Sequence, residues 1–330
     1  MRELKQQLIS KPDSIISILE HFDFTDVQER KGRIYFCFGY GHDNKTNNIS
    51  LTDNPNVYVQ DYVRPDLKGD IISYIMKSRN VPFKDVVSVI KKELGITGTS
   101  FTKRKVFGGI FNVAKRTASY ESKVHSETIL KSYKGLNTKF LKDNISLSTQ
   151  EDFGLGFDID SQRITIPIRN AYGELIGVKG RCNYDPKDDE PKYLYLVPCA
   201  MSSTLFGYSQ NYQHLVNAEE IFIFEAEKSV MQAYDFGVKN TVALGSNNLS
   251  TTQIKLLYEL QPKKIVFMLD KGLNYEQTYN NRDSLIKFCK MNEFEIYMWD
   301  WKKSNLPDKS SPTDYGEDTF YECLLDLERI

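Results

Sequence analysis

Histidine is scarce in this chain. There are four among 330 residues, none beside a strand-end nucleophile, so a Ser-His-Asp hydrolase is unsupported. The five cysteines (Cys37, Cys182, Cys199, Cys289 and Cys323) form no C-x-x-C pair and are odd in number. That pattern fits free thiols in a reducing compartment. Structural zinc needs four Cys or His ligands. The first 95 residues offer only His21, Cys37 and His42, so no zinc is expected. No G-x-x-x-x-G-K-[ST] loop is present, which removes a P-loop motor, and no G-x-G-x-x-G follows a strand, which removes a dinucleotide fold. No apolar run approaches the ~18–20 residues that span a bilayer. The opening Met1-Arg2-Glu3-Leu4-Lys5 lacks the apolar stretch of a signal peptide. A soluble cytoplasmic protein without a membrane partner is the expectation.

What is present is unevenly charged. The net charge is -1, yet residues 101–150 hold ten Lys/Arg against three Asp/Glu, and residues 291–330 hold ten Asp/Glu against four Lys/Arg. The basic stretch reads either as a solvated helical face or as a track for a nucleic-acid backbone. Aromatic residues, at 12%, give ample core and stacking surface.

Two carboxylates stand out because each ends a short apolar run: Ile221–Phe224 leads into Glu225, and Ile265–Leu269 into Asp270. Such runs read as buried strands, and the helix-like stretches between them imply a parallel sheet. Strands are expected at Ile221–Glu225, Thr241–Leu244, Lys264–Asp270 and Phe294–Asp300, the last also ending on an acid. Ligands bind along the carboxyl edge of such a sheet, so Glu225 and Asp270 should project from one rim and suit a divalent metal and phosphates. Exposed acids that merely solvate the edge are the alternative.

Upstream, Arg163–Arg169 and Leu175–Arg181 read as a hairpin turned at Asn170–Gly173. Arg163, Arg169, Lys179 and Arg181, with Lys192 following, gather cations on one small sheet, as a triphosphate requires. Ion pairs with nearby acids are the alternative for each. The first 95 residues read as short strands flanked by helices.

These stretches resemble the bacterial DnaG-type DNA primase family in its compact bacteriophage form. The likeness lies in FLKDNISLSTQEDFGLGFDIDSQRITIPIRNAYGELIGVKGR at 140–181, in PKYLYL and LFGY at 191–208, and in IFIFEAEKSVMQAYDFGVKNTVALGS followed by KIVFMLDKG. In outline CFGYGHDN and VYVQDYVRPDLKGDIISYIM resemble that family's zinc-ribbon knuckles, with Gln60, Asp61 and Tyr62 where thiolates would sit. The resemblance implies an α+β ribbon-like N-terminal domain (1–95) without zinc and a basic linker (96–135). It then implies a mixed α/β toprim-type primase core with a central parallel sheet (136–218 and 219–315) and a tail helix (316–330). The family's toprim pattern is incomplete here. Ala226 follows the glutamate, Ser229 takes the place of an acid, Asp270-Lys271-Gly272 replaces Asp-x-Asp, and Ser311-Pro312-Thr313-Asp314 replaces the later acid pair.

The activity implied is template-dependent synthesis of short RNA primers on single-stranded DNA. Glu225 and Asp270, with Asp314, would hold Mg²⁺ or Mn²⁺. Arg163, Arg169, Arg181, Lys192 and Lys228 would bind nucleotide or template. Ribonucleoside triphosphates and a replicative helicase are the implied partners. A catalytically impaired accessory protein that binds nucleic acid and a toprim nuclease are the rival readings.

Overall fold

A computed structural model describes the chain outside residues 40–46, 51–55, 62, 63, 65, 66, 68, 97–121, 188, 189, 273, 274 and 290–293. The N-terminal unit opens with α1 (Arg2–Ile9) and α2 (Pro12–His21). Strands β1 (Thr25–Arg30), β2 (Arg33–Cys37), β3 (Asn47–Ser50), β4 (Tyr58–Gln60) and β5 (Gly69–Asp70) follow as a sheet paired in chain order, antiparallel throughout. Helices α3 (Ile71–Arg79) and α4 (Phe83–Glu93) close the unit. Pro12 suits the first turn of α2, where its missing N–H would have no partner anyway. The Asp70 side chain caps α3 by accepting from the Ser73 N–H at 2.7 Å. The sequence pattern misses α1 and the polar strand β1.

The region where metal thiolates would sit by resemblance holds an ionic and aromatic cluster. Asp61 accepts from the Tyr74 hydroxyl at 3.0 Å and from Arg64 Nε at 3.3 Å, and Asn47 donates to the same tyrosine oxygen at 3.0 Å. The Arg64 guanidinium lies 3.7 Å from the Phe38 ring centroid. Arg79 covers Phe24 at 4.1 Å and Phe38 at 4.5 Å while donating to the carbonyls of Phe22 and Asp23. Cys37 ends β2. His42 and Tyr62 lie outside the described residues, as does the basic stretch from 101 to 121.

A second unit begins with a 3-10 turn at Glu127–Ser132, then α5 (Thr138–Lys142) and α6 (Leu147–Asp152). Its sheet runs β6 (Gly156–Asp158), β7 (Arg163–Arg169), β8 (Leu175–Cys182) and β9 (Tyr193–Val197), antiparallel and in chain order. The β7–β8 turn is set by Asn170, whose side-chain oxygen accepts from the N–H groups of Tyr172 and Glu174, and by Gly173 at φ 78°.

The third unit carries α7 (Tyr212–Leu215), β10 (Glu220–Phe224), α8 (Glu227–Asp235), β11 (Thr241–Ala243), α9 (Thr251–Leu260), β12 (Lys264–Phe267), α10 (Tyr275–Cys289), β13 (Glu295–Trp299), α11 (Glu317–Leu325) and β14 (Leu327–Arg329). The sheet order is β11-β10-β12-β13-β14, parallel except for β14. The tail is therefore more than the expected helix. After α11 the chain turns back and β14 pairs along β13, Trp299 opposite Leu327 and Tyr297 opposite Arg329. Three residues are too few for alternation to reveal such an edge strand.

The parallel sheet is the middle layer. Ile221, Ile223, Ile265 and Phe267 pack with the N-terminal helices, including Leu4, Leu8, Ile72 and Val86. Phe222, Phe224 and Val266 pack with the hairpin residues Ile164, Ile166 and Ile168. Alternate residues of one strand thus serve opposite cores, which is why both runs are apolar throughout. A buried ion pair pins the N-terminal unit in place: Lys5 Nζ meets Asp70 Oδ2 at 2.6 Å, and the Tyr212 hydroxyl donates to the same oxygen at 2.8 Å. Among the described residues no helix is long and apolar enough to cross a membrane.

Candidate metal and nucleotide site

Parallel register brings the two strand-end acids together. Ile223 pairs with Phe267, and the Met268 N–H donates to the Ile223 carbonyl at 2.8 Å. Glu225 therefore leaves β10, and Asp270 leaves β12, on the same carboxyl edge. The chain ahead of Asp270 is held by Trp299, whose indole N–H donates to the Leu269 carbonyl at 2.7 Å. The neighbouring loop is stitched on by backbone bonds from Lys271 to Ser310 and from Lys309 to Lys271, which brings Asp314 to the same edge.

Electrostatics mark this edge as strained. Burial pushes the Asp270 carboxyl up to about 7, and the charges of Glu225 and Asp314 add to the rise, while Lys228 and Lys192 oppose it. Asp270 Oδ1 is buried without a hydrogen-bond partner among the described residues. Glu225 is half-buried and also raised, chiefly by burial, against the pull of Lys179. A buried carboxylate oxygen lacking a donor, beside a second carboxylate, is a donor set that fits a hard divalent cation. Among the described residues no group of three or more His, Cys, Asp or Glu lies close enough to share one ion.

Asp314 is differently placed. Its Oδ1 meets Lys228 Nζ at 2.5 Å and its Oδ2 accepts from the Ser311 N–H at 3.0 Å. Lys228, expected at nucleotide or template, is thus tied to an acid. Next to this pair runs a chain of hydroxyls that the sequence reading did not anticipate. Ser229 donates to Ser311 at 2.8 Å, Ser311 and Thr313 share a bond at 3.2 Å, and Thr313 donates to Gln232 at 2.8 Å. Asp300 does not join the cluster. It accepts from the Lys302 N–H and faces Lys303 at 3.5 Å.

The cations divide between two faces of the hairpin sheet. Ile164 lies opposite Arg181 and Ile166 opposite Lys179, so Lys179 and Arg181 share one face while Arg163 and Arg169 take the other. Arg181 pairs with Asp143 at 2.5 Å, and Lys179 with the fully buried Glu227 at 2.9 Å. Lys192 makes no salt bridge with a described residue. The residue is exposed, and its ammonium is lowered by partial desolvation and by Arg181 and Lys228, with Asp314 and Asp143 in opposition. Those partners put Lys192 at the carboxylate edge. Arg163 is buried and donates to the carbonyls of Pro191 and Lys192, so it fixes the strand that presents Lys192. Arg169 forms a two-point bond with Glu127, at 2.5 and 3.1 Å, away from the edge. Asp143 and Glu227 escaped the sequence reading. Glu227 carries one weak signal, two residues beyond Glu225.

No family model matches the chain. In sequence it is similar to the SPbeta prophage-derived protein YorJ of Bacillus subtilis, 28% identical over 209 residues, which is 56% of this chain and 55% of YorJ. It is also similar to the DNA primase of Enterococcus faecalis, 28% identical over 175 residues, which is 51% of this chain and 27% of that primase. The chain thus aligns with about half the length of YorJ and about a quarter of the primase. In fold it is similar to the crystal structure of the Aquifex aeolicus primase comprising zinc-binding and RNA polymerase domains, with a TM-score of 0.51 at 15% identity, covering 99% of this chain and 86% of that one. In sequence the chain is thus similar to bacterial DNA primases over about half its length, and in fold it is similar to a primase structure over nearly all of it.

Proposed function

We propose that the protein is a phage-type DNA primase, which joins ribonucleotides into short RNA primers on a single-stranded DNA template by metal-dependent nucleotidyl transfer. We read its parallel sheet as a toprim-type metal-binding subdomain and its N-terminal sheet as a ribbon-type domain that folds without zinc. The observation that carries the reading is the meeting of Glu225 and Asp270 on one sheet edge, with an Asp270 oxygen that has no hydrogen-bond partner among the described residues and the Lys192 ammonium beside them.

Glu225 and Asp270 are the residues that would hold Mg²⁺ or Mn²⁺. When bound, such an ion neutralises triphosphate charge and favours the ionised 3′-hydroxyl of the primer. Lys192, which makes no ion pair with a described residue, supplies an ammonium for a phosphate, and Arg181, held by Asp143, adds a fixed positive charge beside it. Arg163 acts through Lys192 by holding its backbone. Arg169 is tied to Glu127 and contributes to hairpin geometry first. The basic stretch from 101 to 142 is proposed to follow the template backbone, with binding that falls steeply with salt. A replicative helicase is the proposed protein partner, in the cytoplasm of a bacterial host.

The test is incorporation of labelled ribonucleotides on single-stranded DNA with Mg²⁺ or Mn²⁺, against a Glu225→Gln control. Template-dependent short RNA from wild type alone supports the reading. Retained DNA binding with no product in either protein would replace it with an accessory role, and DNA cleavage without ribonucleotide use with a nuclease.

A further inference from the structure

The third acid of the edge is already neutralised, by a side chain of the protein itself. Asp314 Oδ2 accepts from the Ser311 N–H at 3.0 Å, and its Oδ1, which has no hydrogen-bond partner among the described residues, lies 2.5 Å from the Lys228 ammonium as an ion pair. Lys228 is mostly buried, with a side chain 19% exposed, and its charge reaches Asp270 and Lys192 as well as Asp314. Separating such a pair would leave a poorly solvated charge on each side, which opposes displacement of the ammonium by an incoming ion.

The surrounding donors are neutral and mutually satisfied. Ser229, Ser311, Thr313 and Gln232 bond in sequence and are all buried, so their oxygens face one another. Hydroxyls bring no negative charge, and a hard divalent cation depends on carboxylates for the charge that offsets its dehydration. Of the three acids at the inner edge, Asp314 has the Lys228 ammonium within ion-pair distance, whereas Glu225 and Asp270 have no such cation among the described residues. Asp308 lies nearby, 3.7 Å from where a side chain at Gly272 would begin, but on the exposed side.

We infer that this edge is built for a single divalent ion, held by Glu225 and Asp270, and that Lys228 locked on Asp314 is a resident cation occupying the charge position of a second one. This deepens the nucleotidyl-transfer reading and rests on it for purpose, but the ion count is separately measurable. One divalent charge opposes Glu225 and Asp270, and the ammonium opposes Asp314, so the edge is balanced before phosphates arrive. Lys228 is then an electrostatic and positioning residue.

The experiment is Mn²⁺ titration of the full chain, followed by calorimetry and by the electron paramagnetic resonance signal of free Mn²⁺. Wild type should bind one Mn²⁺ per chain, Asp270→Asn should lose it, and Asp308→Ala should keep it. Lys228→Met, which preserves the aliphatic stem, should gain a second, weaker Mn²⁺ that the Lys228→Met/Asp314→Ala double variant lacks. Circular dichroism checks that each variant is folded. Two ions in wild type, no ion in wild type, loss of the ion in Asp308→Ala, or a Lys228→Met variant that stays at one ion would each overturn the inference. Primer synthesis is read in a separate assay. Its failure alongside the expected stoichiometries removes the proposed function and leaves the ion count standing, whereas synthesis with two ions does the reverse.

Discussion

Asp61 and Asp270 are both acids drawn into the protein, and the contrast between their surroundings separates structure from chemistry. Around Asp61 the N-terminal unit supplies a tyrosine hydroxyl, an arginine and a backbone N–H, and two guanidinium groups stack on Phe38. Around Asp270 the parallel sheet supplies two more carboxylates, and one of its oxygens has no hydrogen-bond donor among the described residues. A satisfied buried polar network adds rigidity, whereas an unsatisfied one is costly unless a ligand completes it. Both units depart from the ligand pattern that the resemblance implies. In the first, Asp61, which stands where a thiolate would sit by that resemblance, has internal partners. The second pairs Asp314 with Lys228 and leaves Glu225 and Asp270 without an ion-pair partner among the described residues.

The comparison breaks most sharply at Glu225. Glu225→Gln should lower primer synthesis by about 10³-fold or more, since a metal's charge stabilises the transition state by several kcal/mol. Its melting temperature should stay at or above that of wild type. A variant that lost both synthesis and folding would make Glu225 structural.

The opposite pattern is expected at Asp70 and Asp61. Asp70→Ala strands the buried Lys5 ammonium and should lower unfolding free energy by about 3–5 kcal/mol in urea. Asp61→Ala should destabilise by a smaller amount, roughly 1–3 kcal/mol, through the orphaned tyrosine hydroxyl. For wild type, treatment with a chelator should leave the denaturation midpoint of the N-terminal unit unchanged. A fall would mean that a metal holds this unit after all.

Asp270 sharpens the comparison through pH. Its folded-state carboxyl is raised to about 7, so between the ordinary carboxylate range and pH 7 the folded, metal-free protein binds more protons than the unfolded chain. Stability therefore falls as pH rises through that window, by at most about 4 kcal/mol. Asp270→Asn should match wild type near pH 3, below the ordinary carboxylate range, and exceed it at pH 8 in metal-free buffer. Equal stability at both pH values would show that Asp270 carries no unrelieved charge.

The smallest effect is expected at Lys192. Lys192→Ala should raise KM for ribonucleoside triphosphate roughly 10- to 100-fold, the worth of a charge-assisted hydrogen bond, with little change in melting temperature. Arg163→Ala should reproduce part of that KM change indirectly, because the backbone of Lys192 loses its anchor, and should also destabilise the hairpin sheet.

Much of this contrast was legible in the residues. Unbroken apolar runs gave β10 and β12 because each strand faces two cores, and parallel pairing then required Glu225 and Asp270 to share an edge. Strand β1 was hidden because its residues are mostly polar and exposed, and β14 because it is only three residues long. The fate of the cations was hidden for another reason. Spacing tells which side of a strand a lysine or arginine occupies, but its acid partner comes from distant sequence. Arg181 finds Asp143, Arg169 finds Glu127, and Lys228 finds Asp314. The hydroxyl chain from Ser229 to Gln232 was invisible because small polar residues have no periodic signature, and only the fold brings 229 and 311 together.

The most direct test is anomalous diffraction from crystals soaked in Mn²⁺. One strong peak bridging the carboxylates of Glu225 and Asp270 is expected, absent in Asp270→Asn, with Lys228 still on Asp314. A map with no peak at that edge, at Mn²⁺ concentrations far above those that support synthesis, would contradict it.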